Sequence, residues 1–207
     1  MLSPIQERIA SIVLALPEAA GFALAGGAAM VVAGLVDRET RDLDLFGLTA
    51  DGIAGLAASA ARALQDDGFV VERLVDSVGF VRLMVSNAAG ACELDLGYDF
   101  RLLPTVRSSL GPRLSVEELG ADKVLALANR AEARDFVDVA ALLDHLGRDE
   151  LLGLARQKDL GFSERAFAEM LGRIGRHRRE EFATDDVGFE RLVETFASWA
   201  AELRSNS

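Results

Sequence analysis

The stretch Arg38-Glu39-Thr40-Arg41-Asp42-Leu43-Asp44-Leu45-Phe46 decides how the rest of the chain is read. On a β-strand successive side chains point to opposite faces, so Asp42 and Asp44 share one face while Leu43 and Leu45 take the other. Two carboxylates this close repel each other unless a cation lies between them. Hard divalent ions such as magnesium take oxygen ligands, and a carboxylate pair completed by substrate phosphates is their usual binding mode. For a bare Asp-x-Asp, a strand end whose acids face water is the commoner origin, and the surrounding sequence has to separate the two readings.

Downstream, Ala91-Cys92-Glu93-Leu94-Asp95-Leu96 reads as a strand able to pair beside Leu43 to Phe46. Its alternation sets Asp95 out of phase with Leu94 and Leu96, so a third carboxylate can join the first two. Glu93 shares that face, nearer the other strand end. Upstream, Phe22 to Ala25 reads as a short buried strand and Ala28 to Leu35 as a small-residue helix. Between them Gly26-Gly27 forms a tight turn whose backbone N–H groups can approach a phosphate. A glycine pair is more often simply a turn.

Further outward, Ile5, Ile9, Ile12, Val13 and Leu16 recur at helical spacing up to Pro17, and Ile53, Leu56, Ala60 and Leu64 mark a second amphipathic helix. Phe69 to Val75, Phe80 to Val85 and Ala91 to Leu96 form an antiparallel meander with turns at 76–79 and 86–90. A loop holding Pro104 and Pro112 follows, and the pattern is helical from there on. Ser115-Val116-Glu117-Glu118 is a capping box opening a helix with Val124, Leu125 and Leu127. Arg134 to Leu146 is the next helix, and others run near 149–157, 163–178 and 188–203. The layout is a mixed sheet first and a helical bundle second, dividing into residues 1–110 and 111–207.

The 207 residues carry a formal net charge of −11, which argues against a broad electrostatic grip on DNA or anionic lipid. Cys92 is the single cysteine and has no internal disulfide partner, so a reducing, cytoplasmic setting is expected. Residues 19–36 lack any charge, but their glycines and alanines suit a buried strand, turn and helix better than a membrane span. Arg173, Arg176, His177, Arg178 and Arg179 form the one basic cluster. A solvated helix face explains such a run most simply, and a docking patch for an RNA acceptor is the sharper alternative. Trp199 sits at core spacing with Phe196 and Leu203, and His145 reads as structural.

Together these features resemble the nucleotidyltransferase superfamily related to DNA polymerase β, in which a glycine turn precedes an Asp-x-Asp strand and a third acid follows on a later strand. The finer resemblance is to the AbiEii/AbiGii toxin family, whose pattern is roughly Gly-Gly-Thr-Ala-Leu, then Arg-x-Ser/Thr-x-Asp-x-Asp-Leu. Ala25-Gly26-Gly27-Ala28-Ala29 and Arg38 to Leu45 occupy those places. The likeness continues in Ala121-Asp122-Lys123-Val124-Leu125-Ala126-Leu127 and in Arg134-Asp135-Phe136-Val137-Asp138, and so spans roughly residues 20–145. It implies an α+β fold: a nucleotidyltransferase-like mixed sheet with flanking helices, then a helical domain that closes the active site.

The implied activity is transfer of a nucleoside monophosphate from an NTP to an acceptor hydroxyl with Mg2+. Asp42, Asp44 and Asp95 would hold the metal, and Gly26, Gly27, Arg38, Thr40 and Lys123 the nucleotide. Lys123, Asp135 and Asp138 join the three sheet acids in the catalytic set. A cognate antitoxin and a tRNA or other RNA acceptor are the partners the resemblance implies. From the residues alone, Lys123 is equally a side chain snorkelling from a half-buried face. Asp135 and Asp138, one turn apart, are equally acids stabilised by a helix N-terminus.

One departure stands out: Ala28 follows the glycine pair where the family usually has Ser or Thr. A hydrogen bond to a charged group is worth about 1.5–3 kcal/mol, or roughly one to two powers of ten in affinity. Two other readings therefore stand beside the first. One is a catalytically silent module that binds a nucleotide or a partner. The other is a small-molecule nucleotidyltransferase similar to aminoglycoside-modifying enzymes, whose cationic substrates would suit an acidic body.

Overall fold

The alternation at the aspartates is realised in strand β2 (Asp42–Gly47), where Leu43, Leu45 and Gly47 are buried and Asp42, Asp44 and Phe46 are half-buried. The computed structural model describes residues 1–182 and 184–205; Ala183 and the last two residues of the helical half lie outside the described residues. Two compact units divide the chain at Ser115/Val116.

In the first unit β2 lies between β1 (Ala23–Ala25), which runs antiparallel to it, and β5 (Gly90–Tyr98), which runs parallel. Beyond β5 come β4 (Phe80–Asn87) and the edge strand β3 (Val70–Ser77), each antiparallel to its neighbour. Beyond β1 come β7 (Gly111–Arg113) and β6 (Val106–Ser108), completing a seven-stranded sheet in the order β3-β4-β5-β2-β1-β7-β6. The β6–β7 hairpin falls in the segment read as a loop. Three-residue strands, one containing Pro112, carry too little alternation to announce themselves.

Helices α1 (Pro4–Leu14) and α3 (Ile53–Asp66) pack on each other and on the sheet. Ile9, Ala10 and Val13 of α1 and Ile53, Leu56, Ala57, Ala60 and Leu64 of α3 are buried with Leu43, Leu45, Leu83, Val85, Leu94 and Leu96. The leucine face of the sheet is thus its core face, and the aspartates belong to the other. Helix α2 (Gly26–Val32) begins two residues before the expected start and ends at a turn where Gly34 takes φ +72°. The free edge of β3 is largely exposed and bulged between Arg73 and Val75, a common way to discourage edge-to-edge pairing.

The second unit holds α4 (Val116–Asn129), α5 (Ala133–Leu143), α6 (Arg148–Lys158), α7 (Glu164–Leu171) and α8 (Asp186–Ser205). Its core is aromatic: Phe136 meets Phe196 edge-on at 5.1 Å between ring centroids, and Phe167 meets Trp199 at 5.3 Å. Trp199 is fully buried, as its spacing suggested, whereas His145 lies exposed in the turn after α5. No helix among the described residues is long and apolar enough to cross a membrane.

The basic cluster is not one helix face. After α7 the chain tightens into a 3-10 turn over Gly172–Arg176, with two glycines in five residues, and becomes extended at His177. Arg173 and Arg176 point to solvent. Arg179 instead bonds Asp186 and the Phe182 and Thr184 carbonyls, and Arg178 bonds Glu181. His177 packs edge-on against Phe136, with Nδ1 3.0 Å from Glu181 Oε2 and Nε2 2.7 Å from the Ala131 carbonyl. Both neighbours are acceptors, so the doubly protonated ring satisfies both. Burial pushes the His177 pKa down, but those two hydrogen bonds outweigh it and the net direction is up from 6.5. Hydrogen bonds from His177 and Arg178 hold Glu181 down at about 2.

The His177 contribution to stability is therefore complete below 6.5 and is lost as pH rises through its raised folded-state value. The Glu181 contribution is present above 4.5 and is lost as pH falls toward about 2. The thermal midpoint of the parent should exceed that of His177→Gln most at about pH 5 to 6, and the difference should shrink toward about pH 9. A difference independent of pH over that range would contradict the ion pair.

Candidate active site

One row of side chains crosses four strands. Ala25 on β1 is the register partner of Asp44, Asp44 of Asp95 on β5, and Asp95 of Arg82 on β4. Register partners project to the same face, so Asp44, Asp95 and Arg82 stand side by side on the face away from α1 and α3. Asp42 and Glu93 are partners in the adjacent row.

The glycine turn is built against this row. Gly26 directly follows Ala25 with φ +57°, and a Cβ placed there would fall 1.8 Å from Asp44 Oδ2. At Gly27 a Cβ would lie 2.8 Å from Thr40 Oγ1 and 3.2 Å from an Arg38 guanidinium nitrogen. Gly26 needs glycine for its backbone conformation and for this contact, and at Gly27 the backbone likewise lies close on side chains of the Arg38-to-Asp44 segment. Thr40 Oγ1 donates to Asp42 Oδ1 at 3.2 Å, and the Thr40 carbonyl accepts from Gln6 Nε2 at 2.8 Å, which ties the segment to α1. The structure thus gathers Gly26, Gly27, Arg38, Thr40, Asp42, Asp44 and Asp95 on one part of the sheet. Ala28 is fully buried and offers no hydroxyl there.

Asp42 and Asp44 present hard oxygen donors on one half-open face. That donor set fits a divalent ion of the magnesium type, which binds through one or two carboxylates and substrate phosphates. Among the described residues no three His, Cys, Asp or Glu side chains are drawn into a metal cage. The third carboxylate is Asp95. It is 5% exposed and receives both prongs of the Arg82 guanidinium, Nε to Oδ1 at 2.7 Å and Nη2 to Oδ2 at 2.6 Å. Arg82 also lies 3.4 Å from Glu93 Oε2 and over the Phe80 ring at 5.7 Å. Hydrogen bonding to Asp95 raises the Arg82 pKa against partial burial, with added attraction from Asp95, Glu93 and Asp42.

Arg82 is the site residue that sequence reading missed. The signal was its place as the lone charge in Phe80 to Val85. The register that sets it against Asp95 depends on the β4–β5 hairpin closing at Asn87 and Gly90 around Ala88-Ala89, which turn chemistry spread over 86–90 does not specify. Cys92, behind the row on the core face, has its thiol pushed up to about 12 by burial and is no nucleophile.

In the helical unit Lys123 does not snorkel outward. It is 7% exposed and pairs with the fully buried Asp138 at 2.8 Å. The two aspartates of α5, indistinguishable in sequence, have different partners. Asp135 accepts from the Glu132 N–H at 3.0 Å and takes both prongs of Arg130, at 2.9 and 2.8 Å. Arg134 turns instead to Glu132 at 2.9 Å. The side chain of Lys158, the only other lysine, is also buried, paired with Glu118 and Asp122.

A mixed sheet with a glycine turn seated on an Asp-x-Asp strand, followed by helices, is a nucleotidyltransferase fold. The family model described as nucleotidyl transferase AbiEii toxin, type IV toxin–antitoxin system, matches residues 12–205, and the chain belongs to that family of nucleotidyltransferases. Among solved structures, JHP933 from Helicobacter pylori matches with a TM-score of 0.61 at 18% identity, covering 100% of this chain and 94% of that one. A protein from H. pylori described as a candidate nucleotidyltransferase matches with a TM-score of 0.60 at 17% identity, over 98% and 93%. At those identities the likeness is one of fold. No curated protein matches the sequence.

The Gly26 contact makes an ordered prediction. Gly26→Ala combines a left-handed backbone, about 1–2 kcal/mol for a non-glycine residue, with a clash at Asp44, whereas Gly27→Ala meets a hydroxyl that can rotate. Urea unfolding should show Gly26→Ala as the more destabilised of the two. Equal stability of both variants would mean that the backbone does not rest on Asp44.

Proposed function

We propose that this chain transfers a nucleoside monophosphate from an NTP to an acceptor hydroxyl in a Mg2+-dependent reaction, acting as a toxin held in check by a cognate antitoxin. The observation that carries this reading is the Gly26 backbone lying on Asp44, with Asp42 beside it on the half-open sheet face. Family membership supplies the reaction class, and tRNA is the acceptor class that the resemblance suggests. A cytoplasmic setting accords with a lone, buried cysteine.

In this proposal Asp42 and Asp44 carry the cation, which when bound neutralises charge on the phosphates and favours ionisation of the acceptor hydroxyl. The N–H groups of the Gly26-Gly27 turn and the Arg38 guanidinium hold phosphate oxygens, and Thr40 fixes the orientation of Asp42. Asp95 would complete the ligand set of the cation and help take the proton of the acceptor hydroxyl. The acceptor oxygen bonds to the α-phosphorus as the α–β bridging bond breaks, and pyrophosphate leaves. Lys123 serves as a triphosphate cation, which requires Asp138 to share or release it, and Asp135 orients Arg130.

A second reading, a silent nucleotide- or partner-binding module, is favoured by two observations: Ala28 in place of a hydroxyl and an arginine already seated on Asp95. The separating experiment incubates purified protein with each α-labelled NTP, Mg2+ and total tRNA beside Asp44→Ala. Label on RNA with the parent, reduced by at least about a thousandfold in the folded variant, is the expected result. Mg2+-dependent NTP binding without label on any acceptor would favour the silent module. Full activity of folded Asp44→Ala would overturn the metal assignment.

A further inference from the structure

The acids on the open sheet face come in two groups. Asp42 and Asp44 have the glycine turn and Thr40 beside them, while Asp95 and Glu93 are joined through one cation, Arg82. The three contacts of Arg82 are unequal. To Asp95 it makes a two-pronged hydrogen-bonded pair, the strongest geometry open to a guanidinium. To Glu93 it stands at 3.4 Å, an ion-pair distance, and its guanidinium carbon lies over the Phe80 ring. The Arg82 and Glu93 side chains are 35% and 38% exposed, against 7% for Asp95. The guanidinium therefore has one tight, buried partner and, a short swing away, a looser and better solvated resting place with a second carboxylate and an aromatic face.

From this arrangement, and resting on the metal-dependent transfer proposed above, we infer that Arg82 is an exchangeable counter-ion. It occupies Asp95 when no metal is bound and hands that carboxylate over by moving onto Glu93 and Phe80 when a divalent ion binds. Asp95 needs a cation in either state, because a buried carboxylate left without one is costly. Metal and Arg82 compete for one ligand, so the site takes up a cation only when the metal–nucleotide complex offers enough binding to displace the arginine. Arg82 is a positioning residue that sets the metal affinity of the resting protein.

The probe is Mn2+ without nucleotide, followed by the EPR signal of free ion, on the full-length parent, Arg82→Gln, Asp95→Asn and the double variant. Arg82→Gln should bind Mn2+ about tenfold more tightly than the parent, and the gain should vanish in the Asp95→Asn background. A gain of the same size in that background would show a through-space charge effect and overturn the exchange, as would no gain at all. Thermal midpoints give an independent readout. Arg82→Gln should melt below the parent without metal and regain the parent midpoint at saturating Mn2+. A deficit that persists with metal would make Arg82 purely structural and overturn the inference.

Arg82→Lys, which keeps the charge but loses the two-pronged contact, should lie between parent and Arg82→Gln in Mn2+ affinity, and it carries the test if Arg82→Gln does not fold. Parent-like affinity in Arg82→Lys would equally overturn the exchange. Failure of the parent and every variant to bind Mn2+, with NTP present or absent, would instead remove the metal-dependent reading itself, a result distinct from any of these.

Discussion

The backbone at Gly26 rests on the carboxylate of Asp44 so closely that not even a methyl group fits between them. That contact joins the end of β1 to the middle of the Asp-x-Asp strand and sets where the turn N–H groups can lie. It also explains why two segments separated by the whole of α2 read as one motif. Thr40 and Arg38 repeat the same packing against Gly27. The remainder of the first unit holds these two backbones in register: α1 through Gln6 on the Thr40 carbonyl, and α3 by filling the leucine face.

Charge is the second constraint. The protein is strongly acidic, yet its buried acids at and near the candidate residues each have a cation: Arg82 on Asp95, Lys123 on Asp138, Arg130 on Asp135. Pairs of this kind stabilise little in total, because desolvation offsets most of the attraction, but losing one partner is expensive. Activity lost on substituting Lys123 or Asp138 therefore has to be read beside stability. Asp42 and Asp44 differ in lying half-open on the sheet face, which is why the proposal gives the cation-binding role to them.

The parts legible in the sequence are those governed by a local period. Alternation placed Asp42, Asp44 and Asp95 on one face, and β2 and β5 pair in register as that phase required. The helical half was legible from its apolar spacing, including the burial of Trp199. What escaped depends on register or distant partners. Arg82 opposes Asp95 only because the hairpin turns on two residues. Asp135 and Asp138 are one turn apart on one helix and are told apart by residues outside it: Arg130 before α5 and Lys123 on α4. The basic cluster looked like one helix face because helical periodicity does not register the tightening that Gly172 and Gly175 permit.

The central claim is that Asp42 and Asp44 carry the cation of a nucleotide-transfer site seated on the Gly26-Gly27 turn. A crystal structure with Mn2+ and a non-hydrolysable NTP analogue, with the ion located by its anomalous scattering, tests it directly. The prediction is a manganese peak within about 2.2 Å of oxygens of both Asp42 and Asp44, with phosphate oxygens on the turn. Nucleotide bound elsewhere, or manganese absent from both carboxylates with the nucleotide in place, would contradict it.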